Sequence, residues 1–175
     1  MKRRLLLTAL ICLLVGWAAQ SQVRIPGTHV AFDFPQNGWI YLKTINVDAN
    51  TNVHLYIYTR ETVIDSTGDT IIPFVRIFVK KDYSGSALGL AYSRYLQQPF
   101  QSLKEYSHGL PAKDGIGYIG AYTSLSDGKD YQFRMIYFKE KDIAFEFRAE
   151  TTLSTYPQFE KIFEEIFNTI VIEKE

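Results

Sequence analysis

Cysteine is almost missing from this sequence of 175 residues. The one cysteine, Cys12, lies inside an apolar N-terminal run. The rest of the chain must do without disulfides or thiolate metal sites, so its stability has to come from a packed core. Histidine is scarce too. His29, His54 and His108 stand far apart, with no His-Glu-x-x-His and no other metal-ligand spacing. No metal and no other cofactor is expected. Excess positive charge is lacking as well, because 19 basic residues balance 19 acidic ones. That disfavours nucleic-acid binding, which needs a basic face. No stretch is rich enough in Pro, Ser or Gly to read as a linker, and no period repeats.

Catalytic motifs are the last absence. Gly85-Ser86-Ala87-Leu88-Gly89 is superficially a nucleophile elbow, but the elbow needs glycines two before and two after the serine. Ser86 reads more simply as a helix N-cap. The same stretch has no lysine for a phosphate loop. Asp65-Ser66-Thr67-Gly68 has one residue too many for the Asp-Thr-Gly of aspartic proteases, and its composition is that of a turn. Asp130, Glu146 and Glu150 fall on neighbouring predicted strands with Arg134 and Arg148 interleaved. That alternation of sign predicts solvent-side ion pairs across a sheet. No catalytic residue is assigned, and the chain is not expected to be an enzyme.

What is present begins with a leader. Lys2, Arg3 and Arg4 precede an apolar run over residues 5–19 that is broken only by Thr8. Ala19 and Ser21 then supply small side chains three and one residues before Gln22. This is the layout of a secretory signal peptide over residues 1–21, cleaved after Ser21. The run falls short of the roughly 20 residues that span a bilayer, so a retained anchor is the alternative and no stable anchor is expected after cleavage. Cys12 follows Ile11 in mid-run, which disfavours lipid attachment. The expected location is secreted or periplasmic. The remaining 154 residues carry three more acidic than basic side chains.

Residues 22–28 form a loosely ordered lead-in to one domain over 29–175. Strand patterns cover 29–34, 39–47, 53–60 and 71–80, with a turn at 65–69. A helix follows Ser86, with Leu88, Ala91, Tyr92, Tyr95 and Leu96 at helical spacing and Pro99 blocking its continuation. Residues 103–108 suit a strand. Residues 116–125, 131–138 and 143–151 read as an antiparallel meander, turned by Asp127-Gly128 and Glu140-Lys141. Thr155 with Gln158 suggests a capping box, and Pro157 sits in the permissive first turn. Phe159, Ile162, Phe163, Ile166, Phe167 and Ile170 then form an apolar helical stripe opposite Glu160, Lys161, Glu164 and Glu165. Val171 and Ile172 suit a short closing strand. Short antiparallel connections imply an α+β fold: a central antiparallel sheet flanked by helices, an α/β/α sandwich.

Phe32-Asp33-Phe34-Pro35 with Gly38-Trp39 near the start, and Phe145-Glu146-Phe147 with the Phe159, Phe163 and Phe167 helix near the end, resemble the PsbP/Mog-like superfamily over residues 29–172. The resemblance implies that sandwich and a mostly non-enzymatic role, as in photosystem extrinsic subunits, small-GTPase binders and secreted bacterial domains. It carries no binding residue onto a position here, and fold alone does not give function. Tyrosines suit binding surfaces and sheet rims alike. A binding face is sought around Tyr92, Arg94 and Tyr95 and in the loops near Tyr106 and His108. The expected function is an exported, non-catalytic binding or accessory domain of the bacterial cell envelope whose partner is a protein or another envelope component. A small exported hydrolase with a site assembled in space is the alternative. The leader reading has a direct check: N-terminal sequencing of the exported protein should start at Gln22, and a protein still beginning at Met1 would refute it.

Overall fold

Alternating apolar residues, cut by proline and turn residues, set out the strands of this chain. The computed structural model describes residues 22–48, 52–97, 100–106 and 109–174. The leader and His108 lie outside them. The strands are β1 (Val23–Arg24), β2 (Val30–Phe32), β3 (Ile40–Asp48), β4 (Val53–Thr59), β5 (Val63–Ile64), β6 (Thr70–Ile71) and β7 (Phe74–Lys80). Helix α1 (Ala87–Gln97) comes next, followed by β8 (Ser102–Tyr106), β9 (Ile116–Thr123), β10 (Asp130–Glu140) and β11 (Ile143–Thr152). Helix α2 (Tyr156–Asn168) and β12 (Val171–Ile172) close the chain. Seven strands form one antiparallel sheet in the order β3-β4-β7-β11-β10-β9-β8. A small sheet, β1-β2-β12, ties the start of the domain to its end.

Local chemistry explains the punctuation. Pro73 cannot donate to a ladder, so the apolar run over 71–80 divides between β6 and β7. Asp65 accepts from the backbone N–H of Thr67 and of Asp69 at 2.9 Å each, closing the β5–β6 turn with Gly68 at φ +88°. Lys141, at φ +55°, takes the left-handed position between β10 and β11. Ser86 caps α1 as expected, its Oγ accepting from the Gly89 N–H at 3.0 Å.

The expected capping box at α2 does not form. Thr155 sits at the N-cap position but its side chain caps nothing. Its hydroxyl is fully buried and bonds instead with the hydroxyls of Thr151 (2.7 Å) and Thr152 (2.9 Å). A threonine committed to a buried hydroxyl cluster has no lone pair directed at the first helical turn.

Strand β11 sits at the centre of the sheet, and its two faces differ. Phe145, Phe147 and Ala149 point with Val75, Ile77, Val79, Ile136 and Phe138 toward α2. There the whole expected stripe of α2 packs down: Phe159, Phe163, Ile166, Phe167 and Ile170 are buried, and Ile162 is half-buried. Phe32, Phe34 and Trp39 join that core through edge and stacked ring contacts at 5.1–5.4 Å. On the opposite face α1 lays Ala87, Leu90 and Ala91 on Met135, Tyr137 and Ala144. A helix thus lies on each face, but the sheet is wider than its helices, so the sandwich is only partial. Ile40, Leu42 and Val47 on edge strand β3 are exposed. No helix among the described residues is long and apolar enough to cross a membrane.

Phe163 is completely buried between Trp39, Tyr156 and Phe159. Phe163→Ala should destabilise the fold by about 3–5 kcal/mol. An unchanged denaturant midpoint and slope would show that α2 does not rest on the sheet through this stripe.

Candidate functional site

The α1-side face of β11 carries charge where the other face carries only apolar groups. Glu146, Arg148 and Glu150 alternate along it and are only 4%, 2% and 0% exposed. The expectation of solvent-side ion pairs is therefore corrected. These residues lie beneath α1, which sets Arg94 on Glu146, and beneath the rings of Phe100, Tyr122 and Phe133, which cover Arg148. Arg134 points to the other face, over the Tyr106 ring at 4.8 Å, and Asp130 is exposed and accepts from Thr123 Oγ1 at 2.6 Å.

Each buried charge has a counterpart. Arg94, on α1, donates from Nε to Glu146 Oε2 at 2.8 Å and from Nη1 to Gln97 Oε1 at 3.0 Å. Arg76, on β7, donates to Glu150 Oε1 at 2.6 Å, and Arg148 pairs with the same carboxylate. The Tyr122 hydroxyl donates to Glu150 Oε1 at 3.2 Å. The Arg148 guanidinium lies 4.6, 4.7 and 5.4 Å from the ring centroids of Phe133, Tyr122 and Phe100. Gly120 makes room for this layer. A Cβ there would stand 2.6 Å from the Phe133 ring and 2.4 Å from the Ser102 carbonyl oxygen.

Burial by itself would raise the Glu146 carboxyl, but the charge and hydrogen bond of Arg94, helped by Arg148 and Arg76, hold it below the usual carboxylate range. Burial pushes the Tyr122 phenol up to about 12 and Tyr137 higher still, so both stay neutral.

Beside this charged row runs a cleft. One lobe, about 240 Å³, is lined by Leu88, Ala91, Tyr92, Tyr95, Phe100, Leu103, Tyr118, Met135 and Tyr137. A second lobe of about 290 Å³ is lined by Arg94, Gln97, Phe100, Tyr137, Glu146 and Arg148. Phe100 and Tyr137 belong to both, so the lobes share a wall. The helical stripe of Leu88, Tyr92 and Leu96 is not core. These side chains are 59%, 64% and 62% exposed, while α1 buries Ala87, Leu90 and Ala91 instead.

The structure brings together three of the five residues singled out from sequence, Tyr92, Arg94 and Tyr95. Tyr106 is on the opposite face, its ring over Gly117 and its hydroxyl donating to the Met135 carbonyl at 3.3 Å. His108 is outside the described residues. Sequence reasoning read Glu146, Arg148 and Glu150 as solvent-side ion pairs and did not single out Tyr137. The signal against solvent was Glu-x-Arg-x-Glu alternating with Phe145, Phe147 and Ala149 along one strand. His54, half-buried on β4, bonds Asn46 of edge strand β3 at 2.9 Å, and His29 pairs with Glu140 at 2.6 Å. Among the described residues no group of three or more His, Cys, Asp or Glu could hold a metal ion.

No protein-family model matches the sequence, and no curated protein does. Solved structures do match. The solution structure of cyanobacterial PsbP (CyanoP) from Synechocystis sp. PCC 6803 aligns with 90% of this chain and 96% of its own, at 10% identity and a TM-score of 0.56. LpqN, involved in cell envelope biogenesis of Mycobacterium tuberculosis, aligns with 88% of this chain and 90% of its own, at 12% identity and a TM-score of 0.49. A protein of unknown function from Pseudomonas aeruginosa aligns with 89% and 98%, at 14% identity and a TM-score of 0.46. The likeness to cyanobacterial PsbP (CyanoP) is one of fold.

The lowered carboxyl of Glu146 has a consequence for stability. A group whose pKa is depressed on folding contributes fully above its unfolded value, about 4.3, and loses that contribution as pH falls through the folded value. Denaturant midpoints of the wild type should fall more steeply than those of Glu146→Gln as pH drops below about 4.3. Parallel curves would mean that the Arg94–Glu146 pair is not formed in solution.

Proposed function

We propose that the protein is an exported, non-catalytic binding or accessory domain of the bacterial cell envelope, and that the cleft beneath α1 is its binding site. One observation carries the reading. The apolar stripe of α1, Leu88, Tyr92 and Tyr95, lines a cleft and is left exposed, although the same helix has a buried face in Ala87, Leu90 and Ala91. A helix meant only to cover the sheet would turn its aromatic side chains inward as well. Exposed aromatics around a concavity with a few convergent polar groups are the common make-up of a ligand site. The leader, as read from sequence, supports the envelope location.

The binder and hydrolase readings separate in one experiment. Wild type and a Tyr92→Ser/Tyr95→Ser variant are recovered from envelope fractions of the native cell and analysed by native mass spectrometry. Both positions are exposed, so the variant should fold and be exported. The wild type should carry an envelope component that the variant lacks, with no turnover in an esterase, peptidase and glycosidase screen. Identical mass spectra, or turnover abolished by His54→Ala, would overturn the proposal.

A further inference from the structure

We infer that the cleft takes a small amphipathic monoanion, with a flat apolar body in the aromatic lobe and a single carboxylate against Arg94 in the charged lobe. This rests on the binding-domain reading above and adds the chemistry of the ligand. Two independent features lead to it. The first is shape and lining. The aromatic lobe presents Tyr92, Tyr95, Phe100 and Tyr118, whose ring faces suit another flat ring better than a polar or strongly hydrated group.

The second is the charge count. Arg76, Arg94 and Arg148 face Glu146 and Glu150, and the phenols of Tyr122 and Tyr137 stay neutral beside them. The set therefore carries one positive charge more than it balances. A monoanion completes it, whereas a cation or a dianion leaves net charge in a partly buried site.

Arg94 is where that charge meets the cleft, since Arg76, though 29% exposed, lines neither lobe. The Arg94 side chain is 30% exposed, whereas the side chain of its partner Glu146 is 5% exposed. Nε goes to Glu146 and Nη1 to Gln97, which leaves Nη2 without a partner among the described residues. Its guanidinium rests 4.7 Å from the Phe78 ring centroid, which holds the plane in place. An incoming carboxylate meets a pre-positioned donor and needs no rotamer search, so the ordering cost of binding is small. Arg148, behind it in the same lobe, adds long-range attraction through a low-dielectric wall.

The test uses two probes of one shape. The purified exported protein is titrated calorimetrically with 2-naphthoate and with 2-naphthamide, which differ in charge. The carboxylate should bind one to one and at least about tenfold tighter than the amide, equivalent to about 1.4 kcal/mol. Raising the salt should narrow that ratio, and Arg94→Gln should bring the carboxylate down to the level of the amide. Leu88→Ser, in the exposed rim, should weaken both probes. The comparison within the unmodified protein stands even if Arg94→Gln fails to fold. Equal affinities, or a preference that survives in a folded Arg94→Gln protein, would overturn the monoanion assignment. So would no saturable binding of either probe. If an envelope component is still lost from the Tyr92→Ser/Tyr95→Ser protein in that case, the binding domain stands and only its ligand chemistry falls. If that component is retained, both fall.

Discussion

The two-faced character of β11 is the constraint on which the rest of the structure depends. One face is Phe145, Phe147 and Ala149, and the other is Glu146, Arg148 and Glu150. Because a helix lies on each side of the sheet at this strand, neither face is left to water. The apolar face sets where α2 must lie, and the fully buried Phe163 fixes that contact. Burying the charged face is expensive: an ion taken into a protein interior loses several kcal/mol of solvation, which its partner recovers only with good geometry. Arg76, Arg94 and Tyr122 supply that geometry from β7, α1 and β9.

That constraint explains the position of α1. A helix cannot seal a row of charges with a large apolar stripe, so α1 docks through Ala87, Leu90 and Ala91 and contributes Arg94 to the row. Leu88, Tyr92 and Tyr95 are left beside the row, and the gap between helix and sheet becomes the cleft. Replacing a buried ion pair by apolar residues is often neutral or stabilising, so stability alone is a weak reason to keep three arginines and two glutamates under a helix. The proposed binding role offers a stronger reason, because low dielectric surroundings that make charges costly also make their attraction for a ligand strong.

Much of the fold was legible in the sequence because it is written in periodicity. The alternation of β4, β7 and the β9–β10–β11 meander, and the stripe of α2, follow from residue spacing alone. So does the Ser86 cap, where a short polar side chain precedes a helical pattern. The site was legible only in part. Tyr92, Arg94 and Tyr95 could be singled out because they stand together on one helix. Tyr106 could not be assigned a side, because its face depends on register with Gly117, which strand pairing determines. The Glu146–Arg148–Glu150 row was read as solvent-facing because alternating charge on a strand has that meaning when one face is wet. Only the packing of α1 and its neighbouring aromatic rings on this side of the sheet reveals that neither face is. The capping box failed for a similar reason, since Thr155 finds Thr151 and Thr152 only after β11 turns into α2.

The central claim is that the charged row is retained for binding and not for folding. It is tested by making the row and its ligand-facing donor apolar with the substitutions Arg94→Met, Glu146→Leu, Arg148→Met and Glu150→Leu, and measuring the unfolding free energy together with 2-naphthoate and 2-naphthamide affinity on the same preparation. Arg76 is 29% exposed and can turn to solvent once its partner is gone. The account predicts a protein at least as stable as the wild type that no longer prefers the carboxylate over the amide. A fourfold variant that unfolds, or one that keeps the preference, would contradict it.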